Sequence, residues 1–285
     1  MTTQSITRIK SRMKSVTNIR KITRAMEMVS MSKLNRVRSS LFSMRHYFFR
    51  LERILANLLE HTGTPNHPLF EKRPVGNIGL CVMTSDTGLC SMYNQAVIRL
   101  CELFLSEFDK SKVRIITIGK EGHYHFKKAG FEIKISYPEL QGRYPGKLAD
   151  DMASDLLNLF LDKEVDELYI AYTHFESTLH HKPKIDKFVN IEHKKEGHGD
   201  YLILEPDING VIEYLIPKYL SEKFHLILLE TLTSEHAARM FAMKTATDNA
   251  DELLDTLTLM RNKARQAAIT KEVIEIASGA EAMRE

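Results

Sequence analysis

Three groups of residues have types and spacings that could do chemistry. The first is histidine: His123 and His125 stand two apart, and His180 and His181 are adjacent. A zinc site needs Cys, His or carboxylate ligands at short, regular spacing, and neither pair has one beside it. Both are read as surface histidines, the first pair on a helix and the second in a loop. The second group is Asp150, Asp151 and Asp155, of which 151 and 155 share a helix face. Without a second element bringing a base or a metal, they read as solvated carboxylates. The third is Cys90, a nucleophile type with no identifiable His or acid partner. No G-x-S-x-G occurs. Cys81, Cys90 and Cys101 are odd in number and not spaced C-x-x-C. They read as small buried apolar side chains of a reducing compartment. The residues therefore nominate no catalytic group, no metal site and no cofactor.

The elements that would position such residues fall into three segments. Residues 1–60 read as one helix without Pro or Gly. Leu34, Val37, Leu41, Met44, Phe48, Leu51, Leu55 and Leu58 recur at alternating steps of three and four, the mark of a coiled-coil seam. Upstream the rhythm runs Ile6, Ile9, Met13, Val16, Ile19, Ile22, Met26, Val29, with irregular steps after Val16 and Val29. A helix of this length, near 85 Å at about 1.5 Å per residue, must pair with something. The stretch His61–Pro68, with one Gly and two Pro, ends it.

Residues 70–200 alternate strand and helix patterns. The strands are expected at 78–85, 113–119, 131–136, 167–175 and 184–192, and the helices at 95–108, 121–129 and 147–162. This order predicts a Rossmann-like α/β domain with an at least partly parallel sheet. Dinucleotide binding needs a Gly-rich turn after the first strand. Here that turn is SDTGLCSMYN (85–94), with one Gly, and no phosphate-loop motif occurs elsewhere. Residues 207–285 read as a second long helix, with Asp207 as N-cap and a kink or break at Pro217. Its seam runs Leu229, Leu232, His236, Met240, Met243, Thr247, Ala250, Leu254, Leu257. The simplest burial pairs the two arms as an antiparallel coiled coil beside the central domain.

Charge is distributed unevenly. Residues 1–60 carry 13 Lys/Arg against 3 Asp/Glu, leaving 27 against 34 for the remainder. Arg8 to Arg38 forms a basic run offset by Glu27 alone. A basic helix feeding into heptads is also the layout of basic-region zippers, so nucleic acid competes with an acidic protein surface as the partner. No run of 18 apolar residues predicts a membrane span. The acid-free start has a transit-peptide composition, but the helical pattern from Ile6 argues against a removable leader. The last 44 residues, from Ala242, contain no aromatic residue and nine Ala, a long helix with little to bury.

Four stretches, KITRAMEMVSMSKL (21–34), SDTGLC (85–90), SEHAARMFAMKTATDNA (234–250) and NKARQAAITKEVIEIASGAEAM (262–283), closely resemble the gamma subunit of F-type ATP synthase. The resemblance runs in order through the whole chain. It implies a non-catalytic rotor shaft inside a ring of three alpha and three beta subunits, standing on the membrane c-ring with the epsilon subunit beside it. It implies beta contacts, through which torque passes, at Lys21, Arg24, Met26, Asp86, Cys90, Arg265, Gln266, Thr270 and Glu272. The SDTGLC loop and the basic arm would face an acidic lever of beta. The family pattern carries a basic residue where Thr87 stands, and Gly-Gly where Ser91-Met92 stand. Thr87's role is therefore an open position in the likeness. The chloroplast type's paired regulatory cysteines have no counterpart after Cys101. A bacterial source, with the complex at the cytoplasmic face of the inner membrane, is the expected setting.

Overall fold

The computed structural model describes residues 3–62, 67–70, 73–189 and 208–282. Helix α1 spans Thr3–Thr62 and α5 spans Ile208–Ala282. Between them lie β1 (Ile78–Met83), α2 (Tyr93–Leu105), β2 (Val113–Ile118), α3 (Lys120–Lys128), β3 (Glu132–Tyr137), α4 (Lys147–Leu161), β4 (Glu167–Phe175) and β5 (His181–Val189). The expected strands and helices are all present. The proposed cap Asp207 and the end of the fifth strand, 190–192, lie outside the described residues. Two compact units result: Met1–Val29 with Met240–Glu285, and Ser30–Arg239.

The sheet of the larger unit has the order β3-β2-β1-β4-β5. β1 pairs in parallel with β2 and β4, and β2 with β3, while β5 closes the edge antiparallel to β4. All six residues of β1 are buried, as a central parallel strand covered on both faces requires. Leu80 and Val82 meet Val97, Ile98 and Cys101 of α2 and Phe126 of α3 on one face. β5 begins at His181, so this histidine belongs to a strand and not to the expected loop. Pro183 hid the strand's first residues, 181–183, from the sequence reading, which expected it from 184. A proline is tolerated there because β5 is an edge.

Helix α1 corrects the seam expected from sequence. Ile19, Ile22 and Val29 are 52%, 59% and 57% exposed. Covered positions instead form two unbroken rows spaced by seven, flanked by a few others such as Met26 and Leu59: Ile6, Met13, Arg20, Glu27, Leu34, Leu41, Phe48, Leu55, and Ile9, Val16, Thr23, Ser30, Val37, Met44, Leu51, Leu58. No irregular step exists. Thr23 (8% exposed) and Ser30 (3%) hold seam positions that a hydrophobicity reading passes over.

In the smaller unit the two helix segments run antiparallel. Ile9, Met13 and Val16 pack with Ala250, Leu254 and Leu257. Further along α1, Arg20 pairs with Asp251 at 2.8 Å, and the hydroxyls of Thr23 and Thr247 meet at 2.8 Å. Small hydroxyl-bearing residues let helices approach closely while satisfying their own polar atoms.

The expected break at Pro217 does not occur, and α5 continues through it. Ile216 and Leu220 are fully buried. Tyr219 stacks on Phe48 of α1 with ring centroids 5.2 Å apart. This packing outweighs the roughly 3 kcal/mol that an interior proline costs a helix.

The seam register predicts a contrast. Leu41→Ala, at a fully buried position, should lose about 2–5 kcal/mol in urea denaturation. Ile22→Ser should stay within about 0.5 kcal/mol of the parent. Comparable losses in both would contradict the register.

Candidate functional site

In doubly wound sheets, ligands sit outside the carboxyl ends of the strands, where the strand order reverses. Here that edge lies at the ends of β1 and β4, and the chain's own helix α5 occupies it. The Thr231 hydroxyl donates to Met83 Sδ at 3.5 Å, and Ser234 Oγ donates to the Thr173 carbonyl at 3.2 Å. Tyr93 Oη donates to the Thr231 carbonyl at 3.2 Å. Every residue of α5 from Ile227 to Arg239 is buried.

That stretch is rich in polar groups, and burial of each demands a partner. Glu230 Oε1 accepts from Arg45 Nε and Nη2 at 3.1 and 2.9 Å, and its Oε2 lies 2.5 Å from His174 Nδ1. Glu235 accepts from Arg239 one turn later at 2.7 Å. Burial pushes the Glu235 carboxyl up, and the Arg239 charge opposes this. Arg239 Nη2 continues to the carbonyl of Thr87 at 2.9 Å and its hydroxyl at 3.1 Å. The loop after β1 is thereby fastened to α5.

The loop also has internal ties. Ser85 N donates to Asn94 Oδ1 at 3.0 Å, Asn94 Nδ2 donates to Ser85 Oγ at 2.8 Å, and Ser85 Oγ donates to the Thr87 carbonyl at 2.7 Å. The Asp86 carboxylate accepts from the backbone N–H of Lys120, the first residue of α3, at 3.2 Å, and from those of Glu139 and Gln141 in the segment after β3 at 2.9 and 2.6 Å. Lys33 of α1 donates to the Gln141 carbonyl at 3.0 Å. Ser91 adopts φ +55°, the left-handed region that glycine enters freely. This accounts for the Gly that the family likeness leads one to expect at that position.

His236 Nε2 donates to the Gly142 carbonyl at 2.6 Å. Gly142 has φ +63°, and a Cβ on it would lie 2.6 Å from His236 Cε1, so only glycine fits. Burial lowers the His236 pKa to about 4, with the Gly142 hydrogen bond partly opposing the shift. Among the described residues, no three His, Cys, Asp or Glu side chains gather as metal ligands.

The sequence-nominated residues divide into two sets. Asp86 is half-buried, and Cys90 is buried at 2% exposure against Tyr93 and Ala238. Burial raises the Cys90 thiol pKa. Both residues hold the loop from within. Lys21, Arg24, Arg265, Gln266, Thr270 and Glu272 are exposed, and Met26 is half-buried. Thr270 donates back to the Gln266 carbonyl at 2.9 Å. The three cysteines are free and buried. Sequence reasoning missed Arg45, Glu230, Glu235 and Arg239. The one available signal was charge inside an otherwise apolar stretch, LILLETLTSEHAARM (226–240).

A family model for ATP synthase matches residues 5–283. The chain is 36% identical over 283 residues to the ATP synthase gamma chain of Protochlamydia amoebophila, covering 98% of this chain and 99% of that one. The chain belongs to the ATP synthase gamma-chain family. It is 37% identical to the gamma chain of Alkaliphilus metalliredigens, with 97% and 98% covered. Its fold is that of a chain in the Euglena gracilis mitochondrial ATP synthase, at TM-score 0.68, 16% identity, and 98% and 95% coverage. These gamma-chain likenesses give no support to the nucleic-acid alternative. Among the described residues, no helix is long and apolar enough to cross a membrane.

His236 yields a pH prediction. Its folded pKa of about 4 lies below the unfolded value of about 6.5. Unfolding therefore takes up a proton, and stability present above pH 6.5 falls as pH drops toward 4. The loss should be about 2 kcal/mol at pH 5. Urea denaturation at pH 7 and pH 5 should show this component in the parent and lack it in His236→Gln. An equal drop in both would refute the assignment.

Proposed function

We propose that this chain is the central-stalk rotor of an ATP synthase, a non-catalytic subunit that carries torque between a membrane c-ring and three alpha–beta pairs. One observation supports the shaft role most directly. From Arg265 to Ala280 every residue of α5 except Ala268 is exposed, including Ile269, Val273, Ile274 and Ile276 at 53–68%. Uncovered apolar side chains on a slender helix call for a surrounding protein wall. Ala267, Ala277, Gly279 and Ala280 lie among them and no aromatic residue does, which limits the relief that could lock the helix into one orientation.

The upper contact with beta is assigned to Lys21, Arg24 and Met26 on α1 and to Arg265, Gln266, Thr270 and Glu272 on α5. Asp86 and Cys90 serve a second contact with beta by shaping the loop that faces its acidic lever. Met28 and Met31, 60% and 53% exposed, offer adaptable thioether surface to a changing wall. The basic arm favours sliding electrostatic contact over fixed apolar locks. Epsilon is the remaining stalk partner, and the complex works at the cytoplasmic face of a bacterial inner membrane.

Reconstitution with alpha and beta tests the proposal. One copy per three of each, with hydrolysis stimulated, is expected, and failure to assemble with folded partners would overturn it. In that complex Ala267→Trp should slow hydrolysis, and in the whole membrane-embedded synthase, c-ring included, Arg265→Glu should lower ions pumped per ATP. Both positions are exposed, so the free chain should change stability by less than about 0.5 kcal/mol. Unchanged coupling and turnover would remove these residues from the contact.

A further inference from the structure

We infer that Arg239 is a positioning residue that fastens the Ser85–Cys90 loop to α5, with Glu235 as its buried anchor and Thr87 as its grip. The inference deepens the rotor reading and rests on it for its functional consequence: a loop that pushes on another subunit transmits force only if it cannot yield.

The geometry is specific. Arg239 spends one guanidinium nitrogen on Glu235 at 2.7 Å and another on Thr87, at 2.9 Å to the carbonyl and 3.1 Å to the hydroxyl. Glu235 and Arg239 side chains are 4% and 10% exposed. Charge-assisted hydrogen bonds in such surroundings are short and strong. The planar fork of arginine reaches both partners at once, which a lysine ammonium does not. The Thr87 carbonyl also accepts from Ser85 Oγ at 2.7 Å, so the loop's tip is held from inside and outside. Beneath it Cys90 packs against Tyr93 and Ala238, the residue preceding Arg239. The loop has no comparable regular pairing of its own: Leu89 and Ser91 both sit at positive φ, +62° and +55°. Without the arginine, the Ser85–Asn94 network and the backbone ties to Asp86 would hold the loop's start, and the stretch from Thr87 to Ser91 would lose its bond to α5.

Cys90 reports directly on this clamp. It is 2% exposed under the loop, while Cys81 and Cys101 are fully buried in the sheet and α2. A maleimide reacts only with an opened site, so its rate on each thiol reads local opening. In the full-length free chain, Arg239→Gln should label Cys90 at least tenfold faster and leave Cys81 and Cys101 protected. Thr87→Val, which keeps the carbonyl contact, should give a smaller rise, and Arg239→Lys an intermediate one. Unchanged Cys90 labelling in Arg239→Gln would overturn the inference. Should that variant expose all three thiols together, the paired Glu235→Gln/Arg239→Gln variant, which leaves no lone buried charge, is read in its place. Uniform exposure there overturns it too. In the whole membrane-embedded synthase, c-ring included, Arg239→Gln should lower ions pumped per ATP, a ratio that loss of folded protein leaves unchanged, and Arg239→Lys should restore part of it. Coupling lost with Cys90 still protected contradicts the clamp. Failure of the parent chain itself to assemble contradicts the rotor reading while leaving the labelling result intact.

Discussion

The ion-paired stretch of α5 between Ile227 and Arg239 is the constraint on which the larger unit depends. A helix buried on all sides normally carries apolar residues all round. This one carries Glu230, Glu235, His236 and Arg239: Glu230 joins α1 through Arg45 and β4 through His174, His236 joins the segment after β3 through Gly142, and Arg239, paired with Glu235 one turn back, joins the loop after β1 through Thr87. Apolar contacts alone tolerate slippage by a rotamer. Directional, desolvated hydrogen bonds do not, because breaking one strands a charge in a low-dielectric interior. The sheet is thereby held to its helix in one register.

The same stretch explains why a Rossmann-like sheet here serves as a grip. The edge that would receive a ligand is filled by Thr231 and Ser234 bonded to Met83 and Thr173. The fold supplies rigidity, and the surfaces that the chain leaves open lie elsewhere. On α5 those are the exposed turns beyond Ala264. On α1 they are Lys21, Arg24 and the apolar residues Ile19, Ile22, Met28 and Val29. Their exposure follows from the heptad rows, which place Thr23 and Ser30 under cover and turn their bulkier neighbours outward.

Much of this was legible in the sequence, and the reasons for success and failure are physical. The strands of the central domain announced themselves because buried parallel strands are continuous apolar runs, and the seam from Leu34 to Leu58 because its residues are large and apolar. The upstream register was misread because seam positions can be held by hydroxyls that bond across helices, as Thr23 does to Thr247, and a polarity pattern cannot see a partner 224 residues away. Pro217 misled in the same way, since tertiary packing around Ile216 and Tyr219 overrides local propensity. The outward contact residues came from the family likeness, and nothing in their spacing marks them. The clamp through Arg239 was invisible because its meaning lies in two partners, one a turn away and one in a distant loop.

The most direct test is to watch the shaft turn. The native cysteines are buried, so Lys127→Cys on the exposed side of α3 offers a single attachment point for a bead, with the alpha and beta subunits fixed to a surface. On adding ATP the bead should rotate persistently in one direction, pausing at three positions per turn to match three catalytic partners. ATP hydrolysis with the bead stationary, or wandering without direction, would contradict the account.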